Sequence, residues 1–70
     1  MEKVNIEITT EYIKLDQLLK FSAIAESGSD AKMIILDGQV LVNGGVVTQR
    51  GKKIRKGDVV SFQGIEIHVC

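Results

Sequence analysis

The chain has 70 residues, of which 44% are hydrophobic and 26% are charged, and its formal net charge is zero. This length supports one small domain with one core, residues 1–70, and the composition excludes a disordered chain. A single cysteine, and the lack of any apolar run near the roughly 20 residues that span a bilayer, lead us to expect a cytoplasmic protein without disulfides, export signal or membrane contact.

The first predicted elements are a strand and a helix. In "KVNIEIT", Val4, Ile6 and Ile8 alternate with polar residues, which is the period of a half-buried strand. A helix is predicted over "IKLDQLLKFSAIAES", residues 13–27, because its leucines recur at helical spacing and no Gly or Pro interrupts them.

A second helix is predicted in "DAKMIILD", residues 30–37. Ser27 or Ser29 can cap its N-terminus, since a serine oxygen accepts from the free N–H groups of a first helical turn. Gly38 follows at the position where a left-handed residue commonly ends a helix. Two short helices therefore follow one another.

Four strands are predicted after the helices. Val40 and Val42 lie in the first strand, and "NGG" at 43–45 indicates a hairpin turn into "VVT". "KGD" is a turn before the strand "VVSF", and alternation returns in 65–69. The predicted order β-α-α-β-β-β-β describes an α+β domain in which two short helices pack on a small, mostly antiparallel sheet, because no helix between the later strands provides a parallel crossover.

Metal and catalytic motifs are weak in this sequence. His68 and Cys70 are spaced i, i+2 on a strand, but the chain has no other His or Cys to complete a zinc site. "ESGSD" does not fit a nucleophile elbow, and "SGSDAK" lacks the spacing of a nucleotide loop. Asp16 and Asp58 are interpreted as acceptors of local backbone hydrogen bonds. We therefore expect no enzyme activity, no metal and no cofactor.

Charge is distributed unevenly along the chain. Residues 1–37 hold four basic and seven acidic side chains, whereas residues 38–70 hold five basic and two acidic ones. The five cations fall within residues 50–56, which we call the basic run: Arg50, Lys52, Lys53, Arg55 and Lys56. A local positive field attracts a polyanion even at zero net charge, although a charged edge can also serve only to prevent aggregation.

An extended "KKIRK" segment would point Ile54 inward and place Lys53 and Arg55 on the solvent face. The chain has only one Tyr and two Phe, so recognition of a nucleic acid would depend on its phosphates and shape and not on base stacking. The backbone of Ser27, Gly28 and Ser29, with Lys32 nearby, is a second candidate for contact with an RNA phosphate.

These residues resemble the αL motif, the core of the RNA-binding domain named after ribosomal protein S4. The resemblance covers residues 14 to about 62 without insertion or deletion. It comprises "KLD" at 14–16, Ser27, Ala31, "GQVLVNG" and the "GD" that ends at Asp58. The chain departs from the common pattern at Gly28 and Lys14, where many members have Arg. With its terminal strands, the chain is similar to the stand-alone bacterial members of the YaaA and YbcJ type.

The resemblance implies a non-catalytic protein that binds structured RNA, ribosomal or transfer RNA, with the ribosome as a candidate partner. We expect the protein to be a monomer. The implied RNA-binding side chains are Lys14 and Lys32 together with Arg50, Lys52, Lys53, Arg55 and Lys56 of the basic run. One alternative stays open from the sequence alone. The basic run would also suit a protein-interaction adaptor that binds an acidic partner in a ribosome-associated or replication complex.

Overall fold

A computed structural model describes residues 2–70, and these residues form two helices and seven strands. The predicted α+β class and helix pair are confirmed, and two short strands, the second and the fifth, add to the predicted order. In chain order the elements are β1 (Glu2–Ile6), β2 (Ile13–Lys14), α1 (Leu15–Phe21), α2 (Gly28–Leu36), β3 (Leu41–Val42), β4 (Gly45–Val46), β5 (Lys53–Ile54), β6 (Val59–Phe62) and β7 (Ile65–Val69).

The main sheet has the strand order β1-β7-β6-β3-β4 and is mostly antiparallel, as predicted. Only β1 and β7 run parallel to each other within this sheet. Register places Val4, Ile67, Val60 and Val42 in one row across four strands. Because residues in one row point to the same face, these apolar side chains form the core side of the sheet.

The helices complete this core. Leu15, Leu18 and Leu19 of α1 are fully buried, as are Ala31 and Ile35 of α2. They belong to the same cluster of buried residues as the sheet row. The helical spacing of the leucines therefore predicted the buried face of α1 correctly.

The end of α1 differs from the prediction, which extended the helix through 13–27. Ala23 has a φ of +63° and ends the helix. The N–H groups of Ala23 and Ile24 donate to the carbonyls of Lys20 at 3.1 Å and Leu19 at 3.0 Å, which is the Schellman pattern. A left-handed alanine is uncommon, and no glycine stands at this position to mark the end of the helix in the sequence.

The start of the predicted first helix is also wrong, because Ile13 and Lys14 form β2. This strand pairs antiparallel with β5 in a separate two-stranded sheet, with Ile13 opposite Ile54 and Lys14 opposite Lys53. Ile54 is fully buried, as predicted for an extended "KKIRK". The basic run is thereby attached to the segment that leads into α1.

The second helix begins earlier than the predicted residue 30. Ser27, one of the two predicted caps, accepts a hydrogen bond from the Asp30 N–H to its Oγ at 3.2 Å, and the helix starts at Gly28. Gly38 follows the helix with a φ of +74°, which confirms its predicted role.

Two-residue turns form the two hairpins of the main sheet. Asn43 and Gly44, with φ of +52° and +86°, connect β3 to β4 and confirm the predicted hairpin. Gln63 and Gly64, with φ of +45° and +82°, connect β6 to β7 in the same way. Positive φ at both positions is the type I′ geometry, which matches the twist of paired strands.

Candidate nucleic-acid interface

The basic run connects β4 to β6, and all five of its cationic side chains are exposed. It begins in a turn where the Lys52 N–H donates to the Gln49 carbonyl at 3.2 Å. It then forms β5 and turns again at Gly57, whose φ is +95°. Within residues 50–56 only Ile54 is buried, so one apolar anchor holds the segment while its charges remain in water.

Backbone hydrogen bonds join the basic run to the start of α1. The Leu15 N–H donates to the Lys52 carbonyl at 2.9 Å, and the Asp16 N–H donates to the Arg50 carbonyl at 3.1 Å. The Gln17 N–H donates to the Asp16 carboxylate at 2.8 Å, which confirms the predicted local role of Asp16. These bonds satisfy N–H groups that a helix start leaves without intrahelical partners. The basic run therefore takes the place of a side-chain cap for α1.

Pairing of β2 with β5 brings Lys14 beside the basic run. Lys14 lies directly opposite Lys53, and both side chains are exposed. Opposed residues of antiparallel strands have Cα atoms about 4.5–5.5 Å apart and side chains on the same face. The Lys53 Nζ also lies 5.0 Å from the centroid of the half-buried Tyr12 ring. One surface thus combines two lysines and one aromatic ring.

Asp58 fixes the turn at the other end of the basic run. Its carboxylate accepts from the Arg55 N–H at 2.8 Å and from the Asn43 side-chain amide at 3.1 Å. The Asn43 side-chain oxygen accepts from the Val59 N–H at 2.9 Å. The hairpin turn at Asn43 is thereby tied to the basic turn. The predicted local hydrogen bonding of Asp58 is confirmed.

These contacts lower the pKa of Asp58 from its usual value of 3.8. The largest cause is the hydrogen bond from the Arg55 N–H, followed by the bond from the Asn43 amide. Partial burial raises this pKa, and the positive charges of Lys52 and Arg55 lower it slightly. The carboxylate is therefore stabilised in its charged form by the fold.

We expect Asp58→Ala to reduce the free energy of unfolding at pH 7 by about 1–2 kcal/mol, because two hydrogen bonds to a charged acceptor are lost. The folded-state pKa lies below the unfolded value, so this stabilisation is present above pH 3.8 and is lost as pH falls through the lower, folded pKa. The difference between variant and wild type should then shrink with acid. Urea unfolding at several pH values measures it, with the exposed Glu26 changed to Ala as control. A difference that stays constant at all pH values would contradict this role.

The second predicted group lies at the start of α2. Ser27, Gly28, Ser29 and Lys32 are all exposed. The Oγ of Ser27 is already used by the Asp30 N–H, and the first carbonyl-bonded N–H of this helix belongs to Ala31. The loop before α2 follows the C-terminal end of α1, whereas Lys14 precedes the other end. The fold therefore joins Lys14 to the basic run through the pairing of β2 with β5.

The sequence patterns did not indicate the roles of two residues, Tyr12 and Asn43. Tyr12 was counted only among the scarce aromatics, although its spacing of two residues from Lys14 would place both on one face of a strand. Asn43 was interpreted only as a turn residue. Its bonds to Asp58 and Val59 join segments about 15 residues apart in the chain, which short-range patterns do not reveal.

Other chemistry receives little support from the described residues. The His68 Nε2 lies 3.1 Å from a Glu66 side-chain oxygen, and the Cys70 Sγ lies 3.5 Å from the Ile6 carbonyl. Across residues 2–70 there is no group of three or more His, Cys, Asp or Glu side chains that could hold a metal ion. In the same residues no helix has the length and apolar character needed to cross a membrane.

Comparison with known proteins gives consistent matches. The family model described as "S4 domain" matches residues 6–70. The chain is 43% identical over 58 residues to the Escherichia coli K12 protein named "Putative RNA-binding protein YbcJ", which covers 83% of each chain. It is 42% identical over 59 residues to the Bacillus subtilis 168 protein named "Probable ribosome maturation protein RlbA". This match covers 84% of this chain and 83% of the relative.

A solved structure is similar as well. The solution structure of YbcJ from E. coli superimposes with a TM-score of 0.68 at 38% sequence identity. The match covers 99% of this chain and 86% of the other. That structure is described as containing an αL motif involved in RNA binding.

Proposed function

Since the chain belongs to the S4 domain family, we propose that it binds structured RNA, ribosomal or transfer RNA, and catalyses no reaction. The observation that supports this most directly is the pairing of β2 with β5. It sets Lys14 opposite Lys53, while Lys52 and Arg50 hold the start of α1 through their carbonyls. The strand that leads into α1 and the basic run thus present their cations together.

The chemistry of this surface suits RNA phosphates. Its cations, Lys14, Arg50, Lys52, Lys53, Arg55 and Lys56, are exposed and lie around the buried Ile54. Phosphate contacts fix the position of a protein on a helix of RNA and carry no sequence information. Because A-form RNA is recognised mainly by its shape and backbone, we expect a preference for folded RNA and little preference for sequence.

The start of α2 supplies a second proposed contact. The N–H groups of Gly28 and Ser29 precede the first intrahelical bond, and Lys32 is exposed one turn later. Such a helix start can receive one phosphate from a strand already held by the basic run. Gly28 stands where many family members have Arg, so this contact would rest on backbone groups.

We further infer a cytoplasmic protein that acts as a monomer and has the ribosome as its setting. The relative from Bacillus subtilis is named a ribosome maturation protein, which supports a ribosomal RNA as ligand. The Escherichia coli relative, YbcJ, is named only as a putative RNA-binding protein.

A binding comparison tests the proposal. Purified protein is titrated, at one ionic strength, with a folded ribosomal or transfer RNA fragment, with polyuridine of equal length, and with polyglutamate. We expect the folded RNA to bind most tightly. Tighter binding of polyuridine would contradict recognition of folded RNA. Tighter binding of polyglutamate would instead favour an adaptor that holds an acidic protein.

A further inference from the structure

Lys14 and Lys53 form an unusual pair, because two like charges lie directly opposite each other on antiparallel strands. Such pairs are destabilising unless another group compensates for their repulsion. Tyr12 lies next to this pair, and the Lys53 Nζ is 5.0 Å from its ring centroid. This distance is within the range of an attractive cation–π interaction.

We propose that Tyr12 is a positioning residue of the RNA-binding surface, whose ring holds the Lys53 ammonium so that Lys53 and Lys14 together contact one phosphate. The proposal rests on the proposed function, since it concerns how the same surface holds RNA. It adds a residue for which neither the basic composition nor the family match provides a role.

The chemistry of the three groups fits this assignment. A lysine ammonium has three N–H donors, so a ring against one side leaves donors for a phosphate on another side. An anion between two ammonium groups on paired strands is favourable, because its attraction to both offsets their mutual repulsion. Lysine loses about 2 kcal/mol of rotamer entropy on being fixed, and a ring that restricts Lys53 in the free protein reduces this loss.

Tyr12 is itself held in place by the fold. It is half-buried, and its carbonyl accepts a hydrogen bond from the Thr10 hydroxyl at 2.8 Å. The next residue, Ile13, pairs with Ile54 in the small sheet. The ring therefore projects from a fixed backbone segment toward the exposed side chain that it positions.

Substitution separates positioning from packing. In Tyr12→Leu the apolar bulk remains and the ring is lost, whereas in Tyr12→Phe the ring remains and the hydroxyl is lost. We expect Tyr12→Leu to weaken binding of a folded RNA about two- to fivefold, and Tyr12→Phe to stay within about twofold of wild type. The salt dependence should keep its slope in Tyr12→Leu, because both lysines are still present. Phe21→Leu is the control, since Phe21 is exposed on α1 and lies outside this pair.

The Lys53→Ala background gives the decisive comparison. There Tyr12→Leu should have no further effect on affinity, because the ring has no ammonium to hold. An equal loss in both backgrounds, or tighter binding by Tyr12→Leu alone, would overturn the proposal. If wild type binds no RNA, the proposed function fails. If wild type binds RNA but Lys53→Ala binds it equally well, or if Tyr12→Leu binds normally while Lys53→Ala binds weakly, only the positioning role of Tyr12 is overturned.

A second measurement changes the electron density of the Tyr12 ring with little change in the size of the side chain. Tyr12 is the only tyrosine in the sequence, so fluorinated tyrosine incorporated during expression alters this ring alone. Fluorine withdraws π density and weakens cation–π attraction with little change in size. We expect affinity for folded RNA to fall from tyrosine to fluorotyrosine to difluorotyrosine. Equal affinities across the three proteins would overturn the proposal.

Discussion

Raising the salt concentration from 50 to 200 mM should weaken binding of a folded RNA by roughly 60- to 250-fold if about four phosphates are contacted. Each contacted phosphate releases condensed counterions, and a slope of log affinity against log salt of about −3 to −4 follows from four contacts. Anisotropy titrations of a labelled RNA at four or more salt concentrations measure this slope. A flat slope would contradict binding through phosphates.

The same titrations assign the slope to particular residues. Arg55→Ala should reduce its magnitude by about one, and Lys53→Ala should reduce it by less, because Lys14 still contacts the phosphate that the two lysines share. Their melting temperatures should stay near that of wild type, because exposed charges contribute little to stability. Lys3→Ala and Lys20→Ala remove exposed lysines from β1 and α1 and serve as matched controls. An equal change of slope in these controls would mean that net charge, and not this surface, determines affinity.

Replacing Ile54 by Ala should reduce the free energy of unfolding by about 2–5 kcal/mol, the usual cost of removing a large buried aliphatic side chain. Ile54 is fully buried and pairs with Ile13, so its loss leaves a cavity between the basic run and the core. A domain of this size has only a few kcal/mol of net stability, so a large unfolded fraction at 37 °C is expected. Urea unfolding followed by far-ultraviolet circular dichroism measures the change.

Ile54→Val is the graded control and should cost about 0.5–1.5 kcal/mol. The neighbouring Arg55→Ala should show the opposite pattern, with weaker RNA binding and unchanged stability. A loss below about 1 kcal/mol for Ile54→Ala would show that β5 is not anchored as described.

Local patterns were sufficient where one segment determines its own conformation. The alternation of apolar residues identified β7, and Asn43 with Gly44 identified a turn that requires positive φ. Gly38 marked the end of α2 for the same reason. Ile54 could be assigned to the core because it is the one apolar residue among charges.

Tertiary contacts decided the elements that the sequence did not predict. A strand of two residues has no period, and β2 exists because Ile13 and Lys14 find partners about 40 residues later in β5. Their apolar and cationic side chains suit a helix equally well, so the sequence predicts a helix that begins two residues too early. Ala23 adopts a positive φ to let Ile24 and Ala25 donate to the Leu19 carbonyl, and no alanine pattern predicts that.

The candidate site shows the same division. The cations of the basic run and the bonding of Asp58 to backbone were accessible from composition and turn chemistry. The resemblance to the αL motif added Lys14. The opposition of Lys14 to Lys53 and the ring of Tyr12 over the same lysine depend on β2–β5 pairing, which links parts of the chain on either side of both helices.

From the parallel pairing of β1 with β7, at opposite ends of the chain, we expect a particular order of folding. Val4 lies beside Ile67, and closing a loop of roughly 60 residues costs more entropy than forming the hairpins of β3 with β4 or β6 with β7. During synthesis, β1 leaves the ribosome long before its partner exists. The hairpins and the helix pair can form first, and β1 then docks as the last strand of the sheet. Folding is therefore completed only when nearly the whole domain has been translated.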